Sequence, residues 1–304
     1  SASYLGSGMT LTGSATATFK PHHFDATTTA ACGTFSYAWQ PFVVTVTARN
    51  AAGNTTLNYD GSVNTSPNFA KAVTLSDGSA NATGTLRDPS LAAGAFVNGV
   101  GSTSGSPYFA FTDKRTSPQS ITLRATDADG VTSTGFAEGS MALRSGRLRL
   151  SNAFGRAKAP LQVPVVAEHW LDQAWVANTA DHCTVVPSAA IALSNPRNAS
   201  GGVSAATTSA AGFALTAGRA TLSLAAPAPL GSSLSLDLAI NLGDTSADQS
   251  CLANHPTTTG ARLYWLRSLN GACSAAANRD PAARSTFGIY SPETQRTVHV
   301  RDLF

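Results

Sequence analysis

The sequence predicts an all-β protein made of two antiparallel β-sandwich domains, the first immunoglobulin-like, with very little helix. Three observations support this fold class. Apolar and polar residues alternate along many short segments, turn residues separate these segments, and no segment has the 3.6-residue apolar stripe of a helix. The chain of 304 residues exceeds the usual size of one domain, which favours two domains over one large sandwich.

The clearest strand is predicted at residues 234–242, where aliphatic side chains occupy every second position. Similar patterns predict further strands at residues 42–49, 121–126, 147–150, 161–167, 220–224 and 297–301. Turn residues such as Asp129-Gly130 and Asn270-Gly271 separate the strands, which is typical of sandwiches with Greek-key connections. Two stretches rich in Gly, Ser, Ala and Thr, residues 92–106 and 195–211, are interpreted as long surface loops.

We expect three parts along the chain. Residues 1–18 are predicted to be an N-terminal strand or a linker from a longer parent protein, because the chain begins at Ser1 without a start methionine or a leader. Residues 19–140 are predicted to form the immunoglobulin-like sandwich, and residues 141–304 the second sandwich. The boundary is placed near residues 138–146, where one set of strands ends and Ser145-Gly146 begins the next.

The composition argues against nucleic acid as a partner and against a membrane span in this chain. Only 12% of residues are charged and the formal net charge is +3, which is small for this length. Arg144, Arg147 and Arg149 form the densest basic cluster, and their spacing indicates the solvated face of a strand. No apolar run approaches the roughly 20 residues that a transmembrane helix needs.

The four cysteines predict disulfide bonds and therefore an oxidising, extracellular environment. They show no C-x-x-C pair and no typical zinc-ligand spacing, and four cysteines allow three pairings. The short intervening loop favours Cys251 with Cys273, which leaves Cys32 with Cys183. That second bond would join the two halves of the chain.

The sequence predicts neither an enzyme nor a cofactor. It lacks the G-x-S-x-G, P-loop and H-E-x-x-H motifs. Asp127 and Asp129, followed by Gly130, resemble the start of a Ca²⁺ loop, but no acidic ligand follows at residues 132–136. An Asp-Gly turn between strands is therefore the preferred interpretation, with Asp127 and Asp129 kept as weak metal-ligand candidates.

Aromatic residues are the candidates for ligand contact. Trp170 and Trp175 flank the tetrapeptide at residues 171–174, so a hairpin would bring the two indoles together. Packing in the core is one interpretation of this pair. A stacking platform for a sugar or a peptide is the other, and Tyr108 is a further candidate for stacking. A carbohydrate-binding module of a surface adhesin is thus an alternative function.

Several phrases resemble a known family in their order and spacing. They are Phe19-Lys-Pro-His-His-Phe24, Phe35-Ser-Tyr-Ala-Trp-Gln-Pro-Phe42, residues 46–53 and 58–61, residues 144–155, residues 161–170, Asp181-His-Cys183, residues 280–290 and Val300-Arg-Asp-Leu-Phe304. Together these phrases resemble the C-terminal region of MshQ-type proteins, over roughly residues 19–304. That family is associated with the mannose-sensitive haemagglutinin pilus, a type IV pilus system.

The resemblance implies a non-enzymatic structural or adhesive component of a type IV pilus system. It implies export through the periplasm to the surface of a Gram-negative bacterium, and pilins or other surface proteins as partners. Host or surface glycans are further possible partners. It supplies no catalytic residue, because this region of the family has no established biochemical activity.

Overall fold

The structure, a computed structural model, describes residues 20–62, 69–246, 250–268 and 279–289. Within these residues the chain forms short β-strands and three-residue 3₁₀ turns, without an α-helix. The predicted all-β class is confirmed, and its physical basis is the period-two burial of most strands. The predicted N-terminal segment 1–18 and the predicted strand 297–301 lie outside the described residues. None of the helical turns seen in the structure is long and apolar enough to cross a membrane.

The first half of the chain, which ends at Arg144, contains eleven described strands. They are β1 His23–Thr29, β2 Phe35–Tyr37, β3 Val43–Arg49, β4 Val73–Asp77, β5 Gly84–Arg87, β6 Ser90–Leu91, β7 Phe96–Val97, β8 Val100–Ser102, β9 Tyr108–Phe111, β10 Gln119–Asp127 and β11 Ser140–Arg144. One sheet has the order β1-β3-β8-β7 and the other β2-β11-β10-β4-β6, while β5 and β9 form a separate pair.

The first sandwich is immunoglobulin-like in the way its opening strands divide between the two sheets. Strand β1 pairs antiparallel with β3, whereas β2 pairs parallel with the last strand, β11. Between the sheets lies a core to which β3 contributes Val44 and Val46 and β10 contributes Ile121 and Leu123, all fully buried. Alternating inward side chains thus hold this half together.

The second half, which begins at Gly146, contains ten described strands. They are β12 Gly146–Leu150, β13 Ala153–Gly155, β14 Leu161–Leu171, β15 Ala174–Ala177, β16 Val185–Val186, β17 Ile191–Arg197, β18 Phe213–Ala214, β19 Arg219–Leu224, β20 Leu234–Ile240 and β21 Ala282–Phe287. Strand β14 pairs with β12, β15 and β19 in one sheet, and the other sheet has the order β13-β21-β20-β17. Leu222, Leu236, Leu238 and Phe287 lie in the core between them.

The interpretation of residues 92–106 as a long surface loop is wrong. This stretch contains β7 and β8, and β8 pairs with β3 of the first sheet. Phe96 is fully buried, and a Cβ atom added to Gly101 would lie 2.9 Å from the Phe96 ring. The small residues that suggested a loop therefore let a sheet pack closely on an aromatic ring. The second predicted loop, 195–211, holds the end of β17 and the buried Ala206.

Candidate functional site

The two halves meet with almost no linker between them. Strand β11 ends at Arg144 and β12 begins at Gly146, so Ser145 alone separates them, and Ser145 is buried. The Ser145 carbonyl accepts a hydrogen bond from the Trp170 amide at 3.0 Å. A Cβ atom on Gly146 would lie 2.3 Å from Cδ1 of Tyr37, so glycine permits the close approach of the two halves.

Strand β2 belongs to the sheet of the first half but packs against the second. All three of its residues are buried. Phe35 and Tyr37 lie in the core cluster of the second half, whereas the Ser36 hydroxyl faces the Met141 sulfur of the first half at 3.8 Å. The strand therefore contributes to both cores, which makes the contact between the halves a packed interior.

A disulfide bond joins Cys32 to Cys183, which is the long-range pairing predicted from the sequence. The Cα atoms are 5.3 Å apart and the two cysteines are separated by 151 positions. A loop of this length corresponds to about 5 kcal/mol of stabilisation in the chain-entropy model. No described cysteine is a free thiol. Cys273 lies outside the described residues, so the pairing of Cys251 with Cys273 stays a prediction.

Asp181 is the centre of a buried polar network beside this disulfide. Its Oδ2 atom accepts hydrogen bonds from the Tyr37 hydroxyl and the Thr184 hydroxyl, both at 2.8 Å. Its Oδ1 atom accepts the amides of Cys183 at 3.1 Å and Thr184 at 3.0 Å. Cys32, Cys183 and Asp181 bring potential metal-ligand atoms within 4.8 Å of one another, but the two sulfurs are consumed in the disulfide. The group is therefore structural, and it holds no metal-binding thiolate.

Tyr37 and Arg144 extend the network across the contact. The Tyr37 hydroxyl accepts a hydrogen bond from Asn178 Nδ2 at 2.7 Å while it donates to Asp181. Burial, and next the charge of Asp181, raise the pKa of Tyr37 well above its usual value, so the hydroxyl remains a donor. We call Tyr37, Asn178, Asp181 and the Cys32–Cys183 bond the clamp.

Arg144 corrects the interpretation of the basic cluster as a solvated strand face. Its guanidinium donates to Asn178 Oδ1 and lies 4.5 Å above the centre of the Phe35 ring. Burial lowers the pKa of Arg144 from its usual value. By contrast, Arg147 and Arg149 both form ion pairs with Glu168, at 2.7 and 2.8 Å. Only Arg144 takes part in the contact between the halves.

A cleft of about 560 Å³ opens at another part of the same contact. Trp39, Tyr108 and Lys114 line it from the first half, and Tyr264 and Trp265 line it from the second. The Trp39 and Tyr108 rings are stacked with centroids 5.8 Å apart and 26° between their planes. We call this site the aromatic cleft. Its volume lies in the range of small-ligand sites.

The Trp39 indole is presented by a turn that does not suit its residue type. Residues 37–40 form a β-turn in which the Gln40 amide donates to the Tyr37 carbonyl at 3.0 Å. Trp39 occupies the third position with φ of +72°, a conformation normally taken by glycine. Such a backbone costs about 1–3 kcal/mol for other residues. Nevertheless the indole is 39% exposed.

Lys114 is a charged residue that lines the aromatic cleft. Its Nζ atom donates to the Trp265 carbonyl oxygen at 2.7 Å, which is a further hydrogen bond between the two halves. Burial of the ammonium, together with the nearby charge of Arg267, lowers the pKa of Lys114 to about 7. Arg267 is itself paired with Asp280 at 2.7 Å. Inside the cleft, burial and a neighbouring cation therefore both disfavour the charged form of this lysine.

The structure brings Trp170 and Trp175 together, away from the aromatic cleft. They are opposite partners in the β14–β15 hairpin, with ring centroids 5.4 Å apart and 71° between their planes. The turn residues Asp172 and Gln173 both have positive φ, which is typical of a two-residue hairpin turn. Both indoles are half-buried and lie outside the core clusters. Arg147 lies 4.5 Å above the Trp175 ring centre.

Asp127 and Asp129 lie in the turn between β10 and residue 132. Asp127 is buried, and its Oδ1 atom accepts the amides of Asp129 and Val131, each at 2.9 Å. Its Oδ2 atom accepts the hydroxyl of Tyr59 at 2.9 Å. The Asp127 carboxylate thus stabilises the Asp-Gly turn and anchors a core tyrosine.

Sequence reasoning missed most residues of both sites. Tyr37, Arg144, Asn178 and Asp181 are far apart in sequence, and nothing in their local pattern indicates a shared network. For the cleft, Tyr108 was a candidate, but Trp39 was not. The adjacent aromatic pair Tyr264-Trp265, which follows a loop, was an available signal.

Comparison with solved structures gives weak, distant similarities. The adhesin InvE of Yersinia pseudotuberculosis shares 16% identity over 72% of this chain with a TM-score of 0.23, and this chain covers 57% of that one. The D0-D1 domain of intimin shares 10% identity, with 88% of this chain and 98% of that chain covered and a TM-score of 0.23. No curated protein matches the chain in sequence.

Family models match both halves. The model described as DUF6701, third domain, matches residues 1–146, and the model described as DUF6701, fourth domain, matches residues 144–303. Together the two models span nearly the whole sequence. The chain therefore belongs to the DUF6701 family, whose third and fourth domains it contains.

Proposed function

We propose that this chain is a non-enzymatic, tension-bearing segment of an extracellular protein of a Gram-negative bacterium. In this proposal it serves as a structural and adhesive component of a type IV pilus system related to the mannose-sensitive haemagglutinin pilus. It acts through contact with pilins or other surface proteins. The two halves of the chain work as domains that are held in one fixed arrangement.

The observation that carries the proposal is the clamp between the halves. Inter-domain contacts of ordinary size allow relative motion, because they resemble transient protein interfaces. Here a covalent bond between Cys32 and Cys183 adds to the buried hydrogen bonds of Tyr37 with Asp181 and Asn178. A force applied along the chain would therefore reach the disulfide before the halves could separate.

Further observations support the extracellular location, the pilus link and the non-enzymatic role in this proposal. A disulfide such as Cys32–Cys183 persists in an oxidising compartment, such as the periplasm or the cell exterior. The link to a type IV pilus rests on the resemblance of the quoted phrases to MshQ-type proteins. The absence of known catalytic motifs from the sequence supports a non-enzymatic role.

Single-molecule force spectroscopy tests the mechanical part. The purified chain is pulled from its two ends, with Cys32→Ala/Cys183→Ala as the comparison variant. The disulfide shields the intervening residues from extension, so the wild type should lengthen less on unfolding, by roughly 500 Å at 3.3–3.6 Å per residue. Equal extension of the two proteins would contradict a covalent clamp under load.

Adhesion assays test the biological part. In the native host, the same double substitution should weaken adhesion under flow more than adhesion without flow, because only flow loads the clamp. Deletion of the gene should impair pilus assembly, adhesion or haemagglutination. A deletion strain with all three unchanged would remove the pilus proposal and leave the mechanical result standing.

A further inference from the structure

We propose that the aromatic cleft is a saccharide-binding site, with a sugar ring packed against an exposed face of the stacked Trp39–Tyr108 pair. This inference goes beyond the mechanical role, because a clamp between two domains needs no open cleft. It is carried by the geometry of the aromatic rings, by the backbone of Trp39 and by the polar groups beside them.

The rings form a preorganised platform. Trp39 and Tyr108 are stacked with their planes 26° apart, while Tyr264 and Trp265 form an edge-to-face pair, 5.2 Å and 71° apart, on the facing half. Leu266, at the end of the same 3₁₀ turn, is fully buried and anchors that pair in the second core. The C–H faces of a pyranose ring pack on flat aromatic surfaces, and both pairs line the one cleft.

The turn does not require a tryptophan at position 39. A glycine would satisfy the turn at φ of +72° without strain, and Trp39 lies outside both core clusters and is 39% exposed. The surrounding turn holds this backbone through the Gln40 amide and through the Trp39 amide, which donates to the Phe109 carbonyl at 2.8 Å. Strained residues of this kind concentrate at ligand sites, and here the strain presents an aromatic face to the cleft.

Polar groups also line the aromatic cleft. The exposed Asp244 carboxylate lines the cleft and can accept hydrogen bonds, and Lys114 lines it with an amine held by the Trp265 carbonyl. A few polar groups beside apolar walls are the usual composition of a site that orients a small ligand. The Asp244 carboxylate would accept from sugar hydroxyls, and the Lys114 amine keeps donor hydrogens beyond the one it gives to the Trp265 carbonyl.

The same composition favours a saccharide over a peptide. Among the described residues that line the cleft there is no leucine, isoleucine, valine or methionine, the side chains that peptide-binding grooves use for apolar pockets. The lining of the cleft consists mainly of aromatic side chains and adjacent charged groups. The chemistry matches a ring that is apolar on its faces and polar at its edges.

A glycan array probed with the purified chain tests the proposal. The array carries oligosaccharides ending in mannose, galactose, glucose, N-acetylglucosamine and sialic acid, and each hit is titrated by calorimetry. We expect at least one saccharide to bind, and Trp39→Gly or Tyr108→Ala to weaken it by about tenfold or more. Trp39→Phe keeps an aromatic face and should retain most of the affinity.

Trp175→Ala is the matched control, because Trp175 is a half-buried tryptophan outside the aromatic cleft. It should leave the affinity unchanged, and thermal unfolding should show that Trp39→Gly remains folded. Absence of binding to every saccharide, or binding that survives both cleft substitutions, would overturn the proposal. Trp39-dependent binding of peptides from a displayed library, with no glycan bound, would assign the cleft to a peptide instead.

Discussion

Tyr37 and Trp39 are two positions apart in one turn, yet they face opposite environments at the contact between the halves. Tyr37 is fully buried, and its hydroxyl both donates and accepts within the clamp. Trp39 is 39% exposed, has a strained backbone and borders the aromatic cleft. The comparison shows that the contact is sealed where Tyr37 lies and open where Trp39 lies. Stability and recognition can therefore be changed separately within three residues.

The largest expected effect comes from removing the Cys32–Cys183 disulfide of the clamp. Cys32→Ala/Cys183→Ala should lower the free energy of unfolding by about 4–5 kcal/mol, because the loop between the cysteines is no longer closed in the unfolded chain. Guanidinium unfolding measures the loss, and two separate transitions would show that the halves have become uncoupled. A loss below about 1 kcal/mol would contradict this account. Non-reducing peptide mapping of the wild type should find no free thiol.

A smaller effect is expected from the hydrogen bonds of the clamp. Tyr37→Phe removes one bond to a buried carboxylate and one from Asn178, so it should cost about 1.5–3 kcal/mol. Tyr59→Phe is the matched control, since the Tyr59 hydroxyl donates to the buried Asp127 carboxylate inside the first half. In hydrogen exchange, only Tyr37→Phe should weaken protection in both halves. Identical exchange patterns in the two variants would show that the clamp does not couple them.

Lys114, in the aromatic cleft, should make the free energy of unfolding depend on pH. Because the pKa of Lys114 is lowered to about 7 in the folded protein, the unfolded chain binds an extra proton between about pH 7 and its usual pKa of 10.5. The free energy of unfolding should therefore rise with pH across that window. Lys114→Met should flatten this rise, whereas Met at the exposed Lys71 should not. Urea unfolding at several pH values measures the slopes, and equal slopes for all three proteins would refute the shift.

The smallest effect is expected at Trp39 itself. Trp39→Gly relieves the left-handed backbone while it removes the contact with Tyr108, so the free energy of unfolding should change by no more than about 1 kcal/mol. Trp39→Ala loses the same contact but keeps a Cβ atom at positive φ. It should therefore be less stable than the glycine variant by about 1 kcal/mol. The reverse order in thermal unfolding would show that the turn is not strained.

Strands with one buried face could be predicted from the sequence. The pattern of residues 234–242 appears as β20 and that of 121–126 within β10, because alternation survives wherever one side of a sheet faces the core. Strand ends could not be predicted from alternation, and β14 extends to Leu171 past the predicted residue 167. Strand β2 was missed because it has three residues, all buried, and therefore no alternation.

The two sites could be predicted only in part. Counting cysteines favoured the bond of Cys32 with Cys183, since loop length orders the pairings without any structure. The partners of Tyr37 could not be predicted, because Asn178 and Asp181 come close to it only after both sheets have formed. Trp39 was hidden for a different reason. Its turn lacks the glycine or asparagine that normally indicates positive φ.

The single residue between β11 and β12 sets how far such a protein can reach. A flexible linker lets successive domains rotate freely, so the end-to-end distance grows only with the square root of the length. Here the backbone passes directly from one sandwich to the next through the buried Ser145. The Cys32–Cys183 disulfide also joins the two sandwiches covalently. A protein of this family that joined its other domains in the same way would behave as a rod. Its reach from the cell surface would then grow in proportion to the number of domains.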